Sequence, residues 1–476
     1  MPDFSQYQPP GVYVNEAPTS LVNVTGITPT VIGIVGPAIG FRVATESPTL
    51  HGTTTYQLAA LGITSASIVV TDVTGHVYVS GTDYAIVQTA GTQAGSAYQT
   101  TTIARIGGGT LADGTTVFVN YQYTDANYYT LQRFTNFEDV KDHFGQPLDL
   151  NSNAILSPLS LAAQVAFENG AQTLVLVPTS DAVNLSTRAG LQAGLNLLNA
   201  AYDVNIVVPL PVGIVGTNVA PGDTENVALD LKNHCDIASA NGLYRVGFIG
   251  LPQGASITPD VVSKSIVDKR VHNVWPNAYT YYNGYNNKTF VLDGLYAAAA
   301  VAGSAAGQPP QMPLTKKKVN GFSGIPAAIQ QTMTATYKNS LSSAGVLVIE
   351  PTRNGNLVVR HGVTTDPTNV QTRETSLVRA KDALVNLVHD TIDASGIIGT
   401  PIDSNTIGGI KGLVTGALEY AKSNNLINDY SAIGVRQQNT DPTIVEVKFN
   451  YKPAYPLNYI VVTFSIDTTT GSVTAA

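Results

Sequence analysis

The sequence has seven histidines and one cysteine, residue types that often carry catalysis or bind metal ions. None of the seven histidines is paired with another at the spacing of a helical zinc site. His234 and the only cysteine, Cys235, are adjacent, so on a helix their side chains point in different directions. Nothing near Cys235 marks an activated thiolate. The sequence therefore predicts no catalytic residue and no metal site, and we interpret the chain as a non-enzymatic protein.

Nucleotide-binding and hydrolase motifs are also missing from the sequence. A P-loop requires Gly-x4-Gly-Lys-Ser/Thr, which does not occur. The Gly-x-x-Gly after the first apolar run is followed by Pro37, and no glycine fingerprint continues from it. The string Gly-Phe-Ser-Gly at residues 321–324 is one residue too short for a nucleophile elbow. We therefore expect a protein that needs no cofactor.

The composition favours a protein that assembles with others. Only 12% of the 476 residues are charged, against a usual share of ~25%. A surface with few ionic groups loses little hydration when a neighbour covers it, which favours extensive contacts. An ordinary uncharged polar surface is the alternative interpretation. The net charge of −8 argues against a nucleic-acid partner, which normally requires a basic field.

Cysteine usage and hydropathy indicate where the chain is made. One cysteine permits no disulfide within the chain, so we expect a reducing compartment. The first residues lack the basic and apolar regions of a signal peptide. The longest run of small apolar residues, 296–307, is shorter than the ~20 residues of a membrane span. We expect a soluble protein that is synthesised in the cytoplasm and has no membrane partner.

The N-terminal part of the chain divides into an arm, a strand and a β-rich segment. Residues 26–45 contain an apolar run typical of a buried strand. Residues 46–126 are rich in Thr, Gly, Val and Tyr, with strand-like runs at 66–72, 76–79 and 116–123, and predict an inserted all-β domain. Residues 1–25 hold four prolines, which exclude a helix and predict an extended arm with an apolar part at Gly11, Val12, Tyr13 and Val14.

Residues 127–360 alternate between helical and apolar extended segments. Continuous apolar strands separated by helices predict a mostly parallel sheet that is covered on both faces. Ser157 and Pro158 form a typical helix start, with a cap and a first-turn proline. The predicted helices lie at 157–170, 186–201 and 224–240, and the predicted strands at 173–178, 204–208 and 244–250.

The remaining chain predicts a C-terminal α+β domain over 361–457 and a final strand and arm over 458–476. Two helices are expected at about 374–394 and 404–425, followed by strands at 432–438, 442–451 and 458–466. Arg373, Arg379 and Lys381 give the first helix a basic half, whereas its other face is apolar. A surface helix packed on its own domain is one interpretation, and a basic face turned toward an acidic partner is the other. The fold class is thus an α/β multidomain chain with extended terminal arms.

The order of several segments resembles the contractile tail sheath family of phages and related injection systems. Pro10-Gly11-Val12-Tyr13 is similar to the Pro-Gly-Val-Tyr start of many sheath subunits, and the strand within 30–37 follows it. Residues 134–177 contain the Phe-Gly, the helix ending near Asn-Gly and the apolar strand that are typical of the family. Residues 355–466 resemble its C-terminal unit. Residues 360–365 depart from it, because Arg-His-Gly-Val-Thr-Thr replaces a Trp-Gly-x-Arg-Thr string of many relatives.

The resemblance implies a structural subunit that polymerises helically around an inner tail tube and contracts to drive that tube through a cell envelope. It also implies tail tube, baseplate and tail terminator proteins as partners, and a place in the virion tail after assembly in the host cytoplasm. Extended terminal segments would add strands to neighbouring copies. The implied contact residues are Ile460, Val462 and Phe464 with the N-terminal arm, and Arg373, Arg379 and Lys381 facing the tube.

Two other functions are compatible with the same sequence. One is a non-contractile shell or baseplate protein, which would assemble without forming hollow helical sleeves. The other is a hydrolase on a Rossmann-like sheet, which would need a pocket with convergent polar groups near the carboxyl ends of the strands.

Overall fold

The computed structural model describes most of the chain. The predicted arm at 1–25, with Gly11, Val12, Tyr13 and Val14, lies outside the described residues. Those residues are 30–38, 42–93, 96–123, 130–149, 152–179, 188–212, 227–253, 258–284, 286–466 and 473–475.

The first part of the described chain is built from strands. Strand β1 is Val31–Gly36, within the predicted run, and all six of its residues are buried. The next nine strands are β2 Arg42–Glu46, β3 Thr49–Leu50, β4 Thr55–Gln57, β5 Val69–Thr71, β6 Val77–Tyr78, β7 Tyr84–Gln93, β8 Ser96–Arg105, β9 Thr115–Thr116 and β10 Phe118–Tyr123.

The strands β2 to β10 form small antiparallel sheets with a hydrophobic core of their own. One sheet has the order β2-β10-β5-β6, and another has the order β4-β8-β7. Their shared core includes Leu58, Val70, Ile103 and Val119, each completely buried. The predicted runs 66–72, 76–79 and 116–123 contain β5, β6 and β10, which are shorter than the runs themselves. The sequence did not predict the long β7–β8 hairpin.

The middle of the chain alternates between helices and strands. Its elements are β11 Gln132–Phe134, α1 Phe137–Phe144, α2 Pro158–Glu168, β12 Thr173–Pro178, α3 Arg188–Leu197, β13 Val204–Pro209, α4 Val227–Ala240, β14 Val246–Gly250, α5 Pro259–Ile266, β15 Val271–Trp275, β16 Ala278–Asn283, β17 Lys288–Asp293, α6 Gly294–Ala306, α7 Ala327–Thr332, α8 Ala335–Ser343, β18 Val346–Pro351 and β19 Leu357–Val359.

These elements build a mixed eight-stranded sheet with the order β11-β12-β1-β13-β14-β15-β18-β19. The pairings from β12 through β18 are parallel, and only the two edge strands pair in the antiparallel sense. The predicted strands 173–178, 204–208 and 244–250 are the central β12, β13 and β14. The mostly parallel sheet predicted from continuous apolar strands is therefore present, with antiparallel edges that the sequence did not reveal.

Helices cover both faces of this sheet. Ile32 and Ile34 of β1 join the core under α2 and α6, while Val31 and Val35 join the core under α3, α4 and α5. The residues 296–307, which sequence analysis treated only as a short apolar run, form most of α6, whose residues are buried almost throughout. A Cβ at Gly303 would overlap the carbonyl oxygen of Ala166 in α2, so glycine permits this close helix crossing.

The C-terminal elements are two long helices packed on a β-hairpin. The predicted helices 374–394 and 404–425 are confirmed to within two residues. Phe449 of the hairpin is 3% exposed and packs with Leu384 and Leu418 of the two helices. The elements are α9 Val370–Arg373, α10 Thr375–Ala394, α11 Ser404–Ser423, β20 Ile427–Gln437, β21 Val445–Pro453, β22 Phe464–Ile466 and β23 Val473–Ala475.

The strand predicted at 458–466 is much shorter within the subunit. Only β22 is a strand, and it pairs with β23. Residues 454–463 have no regular secondary structure, because a strand requires a hydrogen-bonded neighbour and the described structure provides none along this segment.

Candidate assembly surfaces

The C-terminal segment exposes a continuous apolar surface. Leu457, Tyr459, Ile460, Val461 and Val462 each have between 75% and 89% of their surface exposed. Burial of a side chain of this size is favourable by roughly 1.5–3 kcal/mol relative to exposure. Contact of this segment with another protein surface would therefore be stabilising. Ile460 and Val462, two of the residues implicated by the sequence, belong to this surface. The side chain of Phe464 lies outside the described part.

The hairpin β20–β21 provides sheet edges. Within the described residues β21 pairs only with β20, so the outer edge of each strand has backbone groups directed away from its partner. One face of β21 packs on the helices, where Phe449 is buried. The hairpin therefore offers edges to which a further extended segment can add.

The structure corrects the predicted basic face of the first C-terminal helix. Arg379 is only 6% exposed, and its Nη2 reaches Thr30 Oγ1 and the Gln308 carbonyl oxygen at 3.4 Å each. Burial lowers the pKa of Arg379 to about 10. A guanidinium buried inside the subunit cannot meet a partner at its surface, so the tube-facing assignment of Arg379 is wrong.

The other two residues of that predicted face retain partial exposure. Arg373 lies in α9 rather than in the long helix, with its Nε 3.3 Å from a carboxylate oxygen of Glu374. Lys381 is half-buried, and burial lowers its pKa. The sequence did not distinguish these residues from Arg379, because all three lie within one amphipathic stretch.

A second charged cluster was not recognised from the sequence. Glu350 at the end of β18 is 7% exposed and forms ion pairs with Lys316, Lys338 and Arg360 at 2.9, 2.7 and 2.9 Å. Burial alone would raise the pKa of Glu350, but hydrogen bonds from the three cations outweigh it and lower the pKa to about 2. The side chain of Lys316 is 67% exposed, and it helps neutralise this buried carboxylate.

Cys235 and His234, which were considered for catalysis and metal binding, are both buried inside the subunit. Cys235 is completely buried, and burial raises the pKa of its thiol to about 12, so it is not a thiolate at neutral pH. Burial and the nearby charge of Arg245 lower the pKa of His234 to about 4, and its Nε2 lies 2.9 Å from Arg245 Nη1. Across the described ranges there is no cluster of three or more potential metal ligands.

An open cleft of about 300 Å³ lies beside the hairpin β16–β17. Its lining includes a single carboxylate, Glu168, together with Tyr281, Tyr282 and Phe322. A hydrolase normally places a second acid or base within reach of the first, and this lining provides none.

None of the helices in the described part of the chain has the length and apolar character that a bilayer-spanning helix needs.

Comparison with known proteins identifies the family. The family described as phage tail sheath protein central domain matches residues 214–365. The tail sheath protein of Mycobacterium phage Bxz1 is 36% identical over 427 residues, which cover 88% of this chain and 71% of that protein.

Solved structures show the same fold. The contracted helical sheath of the anti-feeding prophage aligns with a TM-score of 0.55 at 12% identity, over 97% of this chain and 100% of that chain. The contracted sheath complex of the PVC extracellular contractile injection system aligns with a TM-score of 0.51 at 12% identity, over 98% and 99% of the two chains.

These similarities place the chain in a class of structural assembly proteins. The chain belongs to the phage tail sheath family. It is a structural subunit of a phage tail sheath, as the resemblance in the sequence implied.

Proposed function

We propose that this subunit polymerises into a helical sleeve by donating its terminal segments to the C-terminal sheets of neighbouring copies. The apolar surface of residues 457–462 is the observation that carries this proposal, because its side chains are 75–89% exposed wherever they are large and apolar. The hairpin β20–β21 has sheet edges of the kind that an added strand would occupy. The N-terminal segment containing Gly11, Val12, Tyr13 and Val14 would contribute in the same way.

Strand donation would allow the sleeve to contract without falling apart. The added strand is held mainly by backbone hydrogen bonds, so the bodies on either side of the connection can rotate as rigid units. An open helical lattice follows from head-to-tail contacts that do not close into a ring. The extended sleeve would be metastable and held by a kinetic barrier, so contraction would require no nucleotide.

The proposed arrangement places the predicted all-β domain, 46–126, on the outside of the sleeve. The predicted domain 361–457 would lie toward an inner tail tube, with the α/β domain 127–360 between them. The outer position suits residues that interrupt the chain of the large sheet and have their own core. Among the basic residues considered for the tube contact, Arg373 and Lys381 retain partial exposure and remain our proposal. Baseplate and terminator proteins would cover the two ends of the sleeve.

Removal of residues 1–20 tests strand donation. We expect the shortened subunit to fold, with an unchanged melting temperature, and to form no sleeves in electron micrographs. A shell or baseplate protein without contraction would instead give assemblies that lack a hollow helical form. If the shortened subunit still forms sleeves at the concentration needed by the full chain, donation by the N-terminal arm is wrong.

A further inference from the structure

Within the described structure, the exposed C-terminal segment is hydrogen-bonded to the rest of the subunit through one residue, Asn458, and the ring of Tyr459 also contacts the ring of His361 edge-on. The Oδ1 of Asn458 accepts a hydrogen bond from Thr315 Oγ1 at 3.1 Å, and its Nδ2 donates to Glu374 Oε1 at 3.2 Å. In the described structure, no other residue of 454–463 forms a hydrogen bond to the body. Asn458 is also partly buried, whereas its neighbour Tyr459 is 76% exposed.

The acceptor for this asparagine is a deeply buried carboxylate. Glu374 is 1% exposed, and its Oε1 lies 2.9 Å from His361 Nε2 and 3.3 Å from Arg373 Nε. Burial would raise the pKa of Glu374, but hydrogen bonds from His361 and Asn458 and the charges of His361 and Arg373 outweigh it, so the pKa is lowered. The carboxylate is therefore ionised at neutral pH and acts only as an acceptor.

An acceptor-only carboxylate fixes the direction of each hydrogen bond. His361 must carry its hydrogen on Nε2 to donate to Glu374, and the amide of Asn458 must turn its Nδ2 toward the same oxygen. The 3.2 Å separation of Asn458 Nδ2 and His361 Nε2 is then a contact between two donors that share one acceptor, and not a hydrogen bond. The Oδ1 of Asn458 then points to Thr315, whose hydroxyl donates to it. Hydrogen bonds to a charged group are stronger than bonds between neutral groups.

The groups that hold Asn458 belong to a rigid junction between the central sheet and the C-terminal helices. Glu374 is the residue at which α9 ends and α10 begins. The backbone of Thr375 donates to the Gly362 carbonyl oxygen at 3.0 Å, and Thr364 donates to the Arg373 carbonyl oxygen at 2.8 Å. His361 precedes Gly362 directly and therefore lies at the same junction.

We propose that Asn458, held by Glu374 and Thr315, is the anchor that fixes where the C-terminal segment leaves the subunit. This proposal deepens the proposed strand donation and rests on it. The eight residues from Tyr459 to Ile466 span at most about 28 Å when fully extended. A fixed origin therefore limits which neighbouring sheet edge the segment can reach, and it lowers the ordering cost of reaching that edge.

Substitution of Asn458 tests whether this residue positions the C-terminal segment without contributing to the stability of the subunit. Asn458→Asp places a second carboxylate beside Glu374, so repulsion replaces a hydrogen bond. We expect cleavage of residues 454–463 by chymotrypsin to become at least about tenfold faster, and the subunit concentration needed for sleeves to rise at least about tenfold, because one charge-assisted bond is lost. The melting temperature should remain unchanged, because the segment contributes little to the core.

A matched control and an exchange of charges sharpen the test. Asn450 in β21 has an exposed side chain, so Asn450→Asp makes the same chemical change without touching Glu374 and should leave cleavage and assembly unchanged. The double variant Asn458→Asp with Glu374→Gln exchanges the donor and the acceptor. It should restore slow cleavage and most of the assembly, which a purely structural role of Glu374 does not predict.

The outcomes distinguish the anchor from strand donation itself. If Asn458→Asp leaves both cleavage and assembly at the values of the unmodified protein, the anchor proposal is overturned. If a chain that ends at residue 457 still forms sleeves, donation by the C-terminal segment is wrong, and the cleavage measurement on the free subunit still tests the anchor. Faster cleavage and weaker assembly, both reversed by the double variant, would support it.

Discussion

The apolar C-terminal segment allows a test in which two similar double variants should behave differently. Successive residues of a strand point to opposite faces, so residues 459–466 have two distinct sides. One side carries Ile460, Val462, Phe464 and Ile466. The other side begins with Tyr459 and Val461 but continues with Thr463 and Ser465. The wholly apolar side is the one expected to be buried on a neighbour.

The double variant Ile460→Ser with Val462→Ser removes two apolar side chains from that side. Both are 75% exposed in the subunit, so the free energy of unfolding should change by less than about 0.5 kcal/mol per substitution. If a neighbour buries them, each contributes roughly 1.5–3 kcal/mol, or about 4 kcal/mol together. That energy corresponds to a roughly 1,000-fold higher subunit concentration for sleeve formation.

The assay is pelleting of sleeves across a series of subunit concentrations, with electron micrographs to verify their form and circular dichroism to measure melting. Tyr459→Ser with Val461→Ser is the matched control on the opposite side, and it should shift the required concentration by less than about tenfold. Equal effects of the two double variants would refute the assignment of sides. Normal assembly of the Ile460→Ser and Val462→Ser variant would refute burial of this segment by a neighbour.

Two further predictions concern the body of the subunit. Because the pKa of Glu350 is about 2 in the folded state and about 4.5 ordinarily, its ionised form stabilises the fold by about 3 kcal/mol above pH 4.5, and this is lost as the pH falls toward 2. Denaturant unfolding of Glu350→Gln should therefore show lower stability than the unmodified protein at pH 7 and a difference that shrinks toward pH 2; a constant difference would contradict the ion-pair explanation. Gly303→Ala should destabilise the fold by about 1–3 kcal/mol, because the added methyl meets the backbone of α2. Gly416→Ala, in the middle of α11 with open space around it, should stabilise it by about 1 kcal/mol through helix propensity, and a gain at both positions would refute the close crossing.

The elements that could be predicted from the sequence are those whose residues share one environment. Strands β12, β13 and β14 are buried on both faces, so each is a continuous apolar run that the sequence displays directly. The helices α10 and α11 are long, with clear apolar faces. By contrast, β11 has only three residues and belongs to the large sheet because β12 lies beside it. No local pattern reports such a pairing.

The contact residues were less predictable because charge alone does not reveal burial. Arg379 shares a helix with exposed polar residues, but it contacts Thr30, just before β1, and Gln308, just after α6. Tertiary packing of this kind is not encoded in the spacing of the basic residues. Glu374 and Asn458 are 84 residues apart in the chain, so their contact follows from the tertiary fold. The exposure of residues 457–462 could be inferred only through the resemblance to sheath proteins, since an apolar run ordinarily predicts a buried strand.

The central claim is that the terminal segments of one copy complete the sheet of another. A cryo-electron microscopy map of the assembled sleeve, at a resolution that traces the backbone, tests this directly. We predict that residues 458–466 of one subunit pair with an edge of the hairpin β20–β21 of a neighbour, with the side chains of Ile460 and Val462 buried between them. A sleeve in which residues 458–466 fold back onto their own subunit, with no strand pairing between copies, would contradict the proposal.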